Sequence, residues 1–300
     1  MSERTIEVSL QVQNSYKENK FGSLYVVPTP IGNLEDMTFR AIQTLKDVEL
    51  IAAEDTRHTR KLLNHFNISK PLTSYHEHNK REKTDELIQQ LLKGDHIAIV
   101  SDAGMPAISD PGADLVQASI ANEINVVVLP GANAALSALV GSGLSTERFH
   151  FFGFLPRKKQ QIEEQLEELR FIKETIIFYE SPFRVKQTLQ VIEKVLGNRE
   201  VALVRELTKL HEQYVRGHVQ DVGRYLKEND IKGECCLVVE GSKEDVTQAE
   251  SKWWENLSIE EHVNYYEVEL KVHHKDALKK VAVDRNVSKK VIYNHIHVKK

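Results

Sequence analysis

The stretch "LYVVPTPIGNLEDMTFRAI", from Leu24 to Ile42, decides the fold of this chain. Its first four residues are apolar, which is typical of a buried strand. The strand then breaks at Pro28, Pro30 and Gly32, and apolar residues at helical spacing follow. A strand that ends in a proline- and glycine-rich loop and leads into a helix is the first unit of an α/β fold.

The same alternation of strand and helix continues along the chain. Further apolar runs are "ELIAAE" from Glu49, "IAIVS" from Ile97 and "NVVVLP" from Asn125, and a second set is "TIIFYES" from Thr175, "REVALVREL" from Arg199 and "GECCLVVEG" from Gly233. Amphipathic segments separate most of these runs. Strands that alternate with helices predict a mainly parallel sheet covered on both faces, and the second set predicts a second α/β domain.

Composition shifts suggest four segments. Residues 1–20 are polar and predict an N-terminal arm, residues 21–136 an α/β domain, residues 137–241 a second α/β domain, and residues 242–300 a helical tail. The boundary between the two α/β domains is placed where residues 136–149 become rich in small side chains. Residues 271–300 carry nine Lys or Arg against Asp276 and Asp284, and their pattern predicts two short helices with Ser288 at the start of the second.

The overall composition excludes several classes of protein. The 300 residues carry a net charge of −4, so contact with a nucleic acid would need a local basic patch. The two cysteines, Cys235 and Cys236, are adjacent in an apolar run, which favours buried thiols over a disulfide or a metal site. No apolar run reaches the length of a membrane span, and no signal sequence is evident, so a cytoplasmic protein without membrane contact is expected.

Four strand ends of the first domain carry unusual loops. Their sequences are "PTPIGN", "EDTRHT", "SDAGMPAISDPG" and "LPGANAALSAL". The ends of parallel strands meet at one edge of a sheet, where ligands bind in a crevice. None of the loops is a P-loop or a clean dinucleotide fingerprint, and Asp102 and Asp110 would repel a bare triphosphate. A small flat ligand with a cationic centre therefore fits best.

Eight motifs in order resemble the ribosomal RNA small subunit methyltransferase I family, which is part of the tetrapyrrole-methylase-like class of S-adenosylmethionine enzymes. They are "LYVVPTPIGNLEDMTFRA", "AAEDTRHTRKLL", "SYHEHN", "SDAGMPAISDPG", "LPGANAALSAL", "FFGFLPRK", "YESPFR" and "RELTKLHEQ". The resemblance covers about residues 21–241, and the basic tail is also similar to the C-terminus of the family. It implies two α/β domains with the cofactor in the cleft between them, a homodimer, and 2′-O-methylation of a cytidine in the decoding region of 16S rRNA within the 30S subunit.

The resemblance also implies a set of residues that bind S-adenosylmethionine. Carried over motif by motif, they are Pro30, Ile31, Gly32, Ser101, Asp102, Met105, Asn133, Ala134, Glu180 and Leu207. The chain departs from the tetrapyrrole methylases in its first loop, where Pro28 and Pro30 replace two glycines. This loop should be stiffer, which disfavours a tetrapyrrole as the substrate.

Candidate catalytic residues lie in two of the motifs. The ribose hydroxyl must lose a proton, and Asp55, His76 and Glu77 are the candidates for the base that receives it. A surface or capping role is an equal alternative for each of them. The pair His76 and His78 has no evident third ligand, so no metal site is expected.

Two basic segments of the α/β domains are candidates for RNA contact. They are Arg57, Arg60 and Lys61 on one short helix, and Arg157, Lys158 and Lys159 after "FFGFLP". Solubilising charge is the alternative for each segment. The helical pattern of the basic tail does not establish that it recognises DNA bases. Two further functions stay open, a small-molecule methyltransferase that acts on a tetrapyrrole and a non-catalytic RNA-binding assembly factor.

Overall fold

The structure is a computed structural model that describes residues 10–15, 20–244, 254, 257–285 and 287–297. The chain divides into two compact units, residues 1–241 and residues 242–300. Much of the predicted N-terminal arm, residues 1–9 and 16–19, lies outside the described residues. Within the described part of the arm, the side chain of Gln13 exchanges two hydrogen bonds of 2.9 Å with the backbone of Val126, so this residue docks on the edge of the first sheet.

The first sheet of the larger unit is entirely parallel. Its strands are β1 (Ser23–Val26), β2 (Leu50–Ala53), β3 (Leu72–Ser74), β4 (Ile97–Val100) and β5 (Asn125–Val128), in the order β3-β2-β4-β1-β5. The strand order reverses beside β1 and β4, which lie at the centre. The loops that follow these two strands therefore leave the same edge of the sheet next to each other.

Helices cover both faces of the first sheet, as the sequence predicts. They are α1 (Phe39–Asp47), α2 (Thr56–His65), α3 (Lys80–Lys93) and α4 (Ala113–Ala121). Leu45 of α1 and Leu63 of α2 pack on one face, whereas Leu87 of α3 and Leu115 of α4 pack on the other. The side chains of Thr38 and Asp55 accept hydrogen bonds from the first turns of α1 and α2, which fixes where these helices begin.

The second sheet of the larger unit is mixed. Its strands are β6 (Phe149–Phe154), β7 (Thr175–Glu180), β8 (Glu200–Arg205), β9 (Gln213–His218) and β10 (Cys235–Val239), in the order β6-β7-β10-β8-β9. Strands β6 and β7 are parallel, and the other neighbours are antiparallel. The last strand in the sequence thus occupies the centre of the sheet.

Four helices accompany the second sheet. They are α5 (Ala134–Ser142), α6 (Lys159–Leu169), α7 (Val185–Leu196) and α8 (Val219–Glu228). Helices α6, α7 and α8 bury one face of the sheet. The other face packs on Ala138 and Leu139 of α5 and on Ile31 from the loop after β1. This contact brings the loops of the first sheet against the second sheet, and the predicted pair of α/β layers is confirmed.

The smaller unit is helical. It contains α9 (Ile259–Val268), α10 (His274–Asp284) and α11 (Lys289–His297) around a core that includes Val263, Leu278 and Ile292. Ser258 begins α9 with a capping box that involves Glu261. Helices α10 and α11 match the two helices predicted for the basic tail. Among the helices of the described residues, none is long and apolar enough to cross a membrane.

Candidate active site

The loops after the parallel strands are linked to one another. Thr29, after β1, and Gly104, after β4, exchange two backbone hydrogen bonds of 2.9 and 3.0 Å. The backbone N–H of Asp55, after β2, donates to Oδ1 of Asp102 at 3.1 Å. These bonds join three loops into one wall at the edge of the sheet.

A proline and a glycine join the fourth loop to the first. A Cβ atom on Gly131 would lie 2.8 Å from Cβ of Pro28, which is closer than real Cβ atoms approach. The two loops therefore touch through the ring of Pro28 and the bare backbone of Gly131. The loop of the quoted stretch is thus held by Pro28 against the fourth loop and by Thr29 against the loop after β4.

A cavity of about 390 Å³ lies between this wall and the second sheet. Its lining includes Ile31, Glu54, Asp102, Met105, Asp110, Asn133, Ala134, Phe154, Tyr179, Glu180, Leu207 and Cys236. The first sheet contributes loops, whereas the second contributes strand ends and the loop around Leu207. The cavity volume is typical of a site for one small ligand.

Seven of the ten residues expected to bind the cofactor line this cavity. They are Ile31, Asp102, Met105, Asn133, Ala134, Glu180 and Leu207. Pro30 is half-buried beside Ile31, and Ser101 is buried beneath the loop after β4, with its hydroxyl 3.3 Å from the carbonyl of Gly104. Neither residue is among those that line the cavity.

Gly32 was expected to bind the cofactor, but it does not line the cavity. It lines a neighbouring shallow surface with Thr208 and Lys209, and not the cavity. A Cβ atom here would lie 2.4 Å from Cγ of Lys209 and 3.0 Å from the carbonyl oxygen of Leu207. Gly32 therefore lets the first loop approach the loop after β8.

Among the acidic residues that line the cavity, Glu54, Asp102 and Asp110 lie close enough to affect one another's ionisation. Burial raises the pKa of Asp110 to about 7, and the negative charge of Glu54 acts in the same direction. Burial also raises the pKa of Glu54, with a further contribution from Asp102. A cluster of carboxylates that repel one another in a half-buried site favours a cationic ligand.

Two of the loops that contribute to the cavity contain residues other than glycine with positive φ angles. Ala107 and Ser109, in the loop after β4, have φ angles of 69° and 61°. Glu206 and Thr208, on either side of Leu207, have φ angles of 52° and 65°. Residues other than glycine seldom adopt this left-handed region, and such strain concentrates at functional sites.

The three candidate catalytic residues occupy different surroundings. Asp55 caps α2, and its two hydrogen bonds with the Arg57 side chain lower the pKa of its carboxyl group. Glu77 is exposed and pairs with Lys80 at 2.9 Å. His76 is half-buried, and its Nδ1 atom is buried with no hydrogen-bond partner among the described residues. His76 also lies close enough to Glu54 to affect its pKa.

The basic residues proposed for RNA contact are all exposed. Arg57, Arg60 and Lys61 lie on α2, and Arg157, Lys158 and Lys159 lie between β6 and the first turn of α6. The guanidinium of Arg57 is held by Asp55 at 2.7 Å, which partly neutralises its charge. Within the part of the chain that the structure describes, no three His, Cys, Asp or Glu side chains are grouped as metal ligands would be.

Several cavity residues were not among the sequence candidates. Phe154, Tyr179, Cys235 and Cys236 had no expected role, while Glu54 and Asp110 were expected at the crevice only as acidic charges and were not among the cofactor-binding residues. Glu54 and Asp110 lie inside the quoted motifs, so their acidic character beside glycine-rich loops was the available signal. Burial raises the pKa of Cys236 to about 12 and that of Cys235 to about 11, so both stay protonated thiols near neutral pH.

Comparison with known proteins agrees with this architecture. Residues 23–223 match the family model of tetrapyrrole (corrin/porphyrin) methylases. A ribosomal RNA small subunit methyltransferase I from Halalkalibacterium halodurans is 54% identical over 96% of this chain and 99% of its own length. The protein of that name from Bacillus subtilis is 51% identical over 94% of this chain and 96% of its own length.

The chain belongs to the ribosomal RNA small subunit methyltransferase I family. Among solved structures, a uroporphyrin-III C-methyltransferase from Thermus thermophilus, complexed with S-adenosylhomocysteine, resembles it with a TM-score of 0.52 and 17% identity over 73% of this chain and 97% of that one. This likeness shows a shared fold. The match to the tetrapyrrole methylase model ends within α8. Cys235 and Cys236 of the cavity, and the helical unit, therefore lie outside the matched segment.

Proposed function

We propose that this protein transfers a methyl group from S-adenosylmethionine to the 2′-oxygen of a cytidine ribose in the decoding region of 16S rRNA. The observation that carries the proposal is the 54% identity, over 96% of the chain, to a protein named ribosomal RNA small subunit methyltransferase I. The nucleotide and the position on the ribose come from the motif resemblance. The same proposal includes action on the 30S subunit in the cytoplasm.

The size and the lining of the cavity support S-adenosylmethionine as the proposed cofactor. When bound, this cofactor supplies an electrophilic methyl group on a sulfonium cation. Ile31, Met105 and Leu207 offer an apolar lining for the adenosyl group, and the carboxylates of Asp102 and Asp110 attract a positive charge. These contacts support the proposed cofactor without the phosphate-binding loop that a nucleotide triphosphate would need.

Positioning and proton removal are the tasks that remain for the protein. The ribose oxygen must point at the methyl group in line with the bond that breaks, and its proton must pass to a base. None of the three candidates lines the cavity, and His76 is proposed as the base because it lies close enough to affect the ionisation of Glu54, which does line it. Asp55 and Glu77 are proposed to support the site by capping α2 and by holding Lys80.

The exposed basic residues are proposed to hold the RNA backbone. Arg60 and Lys61 on α2, and Arg157, Lys158 and Lys159 at the start of α6, are all accessible to phosphates. A homodimer is part of the proposal. Leu136 and Val140, one turn apart on α5, are exposed apolar side chains that a second copy could cover.

The test combines cofactor binding with methyl transfer. Calorimetry should detect S-adenosylmethionine binding, and tritiated cofactor should label 16S rRNA in 30S subunits from a strain that lacks the gene, at one nucleotide that mapping identifies. His76→Ala should lower single-turnover labelling by about 10²-fold or more if His76 is the base, whereas His78→Ala, at an exposed histidine two residues away, is the matched control. Label on a tetrapyrrole instead of the RNA, or RNA binding without any transfer, would contradict the proposal.

A further inference from the structure

Two exposed phenylalanines lie in the lining of the cavity or directly beside it in the sequence. Phe154, at the end of β6, lines the cavity and is 58% exposed. Phe183 is 94% exposed, and the two residues before it, Ser181 and Pro182, line the cavity. Leaving a large aromatic side chain in water forgoes the free energy of burying it. Two such side chains in or next to the lining of the same cavity therefore require an explanation.

The turn that carries Phe183 is firmly anchored. The backbone N–H groups of Arg184 and Val185 both donate to the carbonyl of Ser181 at 3.1 Å. The Arg184 guanidinium donates to the carbonyls of Leu155 and Pro156 at 3.0 and 2.6 Å. These bonds tie the Phe183 turn to the residues that follow Phe154.

A buried carboxylate completes the anchor. The side chain of Glu180 is 1% exposed and lies 3.3 Å from Nε of Arg184. It also accepts a hydrogen bond of 2.6 Å from the hydroxyl of Thr188. Because Arg184 is fixed on both sides, the backbone segments that carry Phe154 and Phe183 are tied together and lose little backbone entropy when the rings bind.

The surroundings identify the chemistry of the partner. Phe154 contacts the ring of Tyr179 edge to face, with centroids 5.5 Å apart, and so one side of its ring is already supported. Arg157, Lys158 and Lys159 follow Phe154 almost at once and are exposed. Exposed aromatic rings beside a run of cations are the combination with which proteins hold single-stranded nucleic acid, by stacking on bases and pairing with phosphates.

We propose that Phe183, together with Phe154, stacks on an unpaired pyrimidine base of the RNA and so presents its ribose to the cavity. Arg157, Lys158 and Lys159 hold the adjoining phosphates. The inference rests on the proposed function, since it names the group that selects and positions the RNA strand at that same site. Phe183 is a positioning residue, because it contacts the base and not the atoms that react.

The variants Phe183→Ala and Phe183→Trp test this inference against Phe39→Ala. Phe39, at the start of α1, is 93% exposed and outside the cavity, which makes it a matched control. Stacking of one base is worth enough to change affinity by about 5- to 150-fold. We expect Phe183→Ala to lower kcat/KM for 30S subunits by that factor with unchanged S-adenosylmethionine affinity, and Phe183→Trp to restore most of it.

A second measurement keeps the inference separate from the proposed function. A short single-stranded RNA with a fluorescent cytosine analogue should be quenched by the wild type and by Phe39→Ala, and less by Phe183→Ala, whether or not methyl transfer occurs. If Phe183→Ala equals Phe39→Ala in both assays, the stacking role is wrong. If Phe183→Ala instead lowers the sedimentation coefficient to that of a single chain, the ring contacts a second copy, which also overturns the inference. Lack of methylation by the wild type with normal quenching would overturn only the proposed reaction.

Discussion

Asp110 is the residue whose ionisation depends most on the fold of the cavity. Its pKa is about 7 in the folded protein against an ordinary value of 3.8, and so the folded state retains a proton that the unfolded chain releases. Stability should therefore fall as the pH rises from about 4 to 7. The substitution Asp110→Asn removes the ionisable group and therefore removes this loss of stability. We expect the variant to be more stable than the wild type by about 2 kcal/mol at pH 8, after allowance for solvent screening, and to differ little at pH 4.

Urea unfolding at several pH values measures this difference. Asp85→Asn, on the exposed face of α3, removes one carboxylate elsewhere and is the control. A constant difference between Asp110→Asn and the wild type from pH 4 to pH 8 would show that Asp110 ionises normally. Asp110 would then be fully charged at neutral pH, and burial beside Glu54 would not hold its proton.

Gly32 tests the contact between the first loop and the second sheet. A Cβ atom at this position would meet Lys209 and the backbone of Leu207, which lines the cavity. Such overpacking costs about 1–3 kcal/mol, and the loop must move to relieve it. We expect Gly32→Ala to weaken S-adenosylmethionine binding by about tenfold or more in calorimetry, while the protein stays folded. Unchanged cofactor affinity would mean that the loop shifts without affecting the cavity.

At the scale of the element, replacing glycine by alanine should have opposite effects on stability at two helical positions. Gly223 lies inside α8, and a Cβ atom there would have no atom within 4 Å, so Gly223→Ala should stabilise the protein by about 1 kcal/mol through helix propensity. Gly141 lies in α5, where a Cβ atom would be 2.4 Å from the ring of Tyr214. The guanidinium of Arg216 lies over that ring at 4.6 Å and limits its movement.

Gly141→Ala should therefore destabilise the protein by about 1–3 kcal/mol. It should also weaken cofactor binding, because Asn133 and Ala134 at the start of α5 line the cavity. Thermal unfolding of Gly223→Ala and Gly141→Ala measures the two stability changes, and calorimetry measures cofactor binding. Stabilisation by both substitutions would show that the ring of Tyr214 yields easily and that α5 tolerates a wider spacing from β9.

The sequence predicts the elements with strong patterns and misses the weakly patterned ones. Helix α1 follows from helical spacing of apolar residues, and seven of the strands follow from the apolar runs. The strands β3, β6 and β9 were not predicted, for different physical reasons. Strand β3 is three residues long, the pairing of β6 shifts its register between Phe151 and Gly153, and β9 is an edge strand with polar residues such as Gln213 and Arg216.

The residues of the candidate site were also predicted only in part. Loop motifs locate seven of the ten expected cofactor residues at the cavity, since parallel strand ends must meet at one edge. They do not reveal that Gly32 serves a contact between loops, because this depends on the approach of the loop after β8. They also do not reveal Phe183 as an exposed ring next to cavity residues, since exposure depends on the packing of a neighbouring turn. The boundary between the two α/β domains at residues 136 and 137 stays a prediction.

At the scale of the whole molecule, the helical unit changes how the basic tail can be tested. The nine Lys and Arg of residues 271–300 share their segment with Leu278, Val281 and Ile292, which form the core together with Val263 of α9. Removal of residues 271–300 would therefore expose the remainder of that core. The whole compact unit, residues 242–300, is the better deletion.

We expect this deletion to leave S-adenosylmethionine affinity intact, because the cavity residues all precede residue 242. It should weaken binding to 16S rRNA and flatten its salt dependence, by about 0.7–0.9 in the logarithmic slope for each phosphate contact that is lost. Titrations at several salt concentrations measure the slope for both proteins. Equal slopes would mean that the helical unit does not contact RNA and that its charge serves solubility.

The central place of β10 has a consequence for how the chain is made. During translation β7 and β8 leave the ribosome before β10, which pairs with both of them. Until about residue 239 is available, the nascent chain holds two unprotected strand edges, which are prone to association with other chains. The cavity also lacks Cys235 and Cys236 until then. A product that terminates before residue 235 would therefore be both unable to complete its cavity and prone to aggregate.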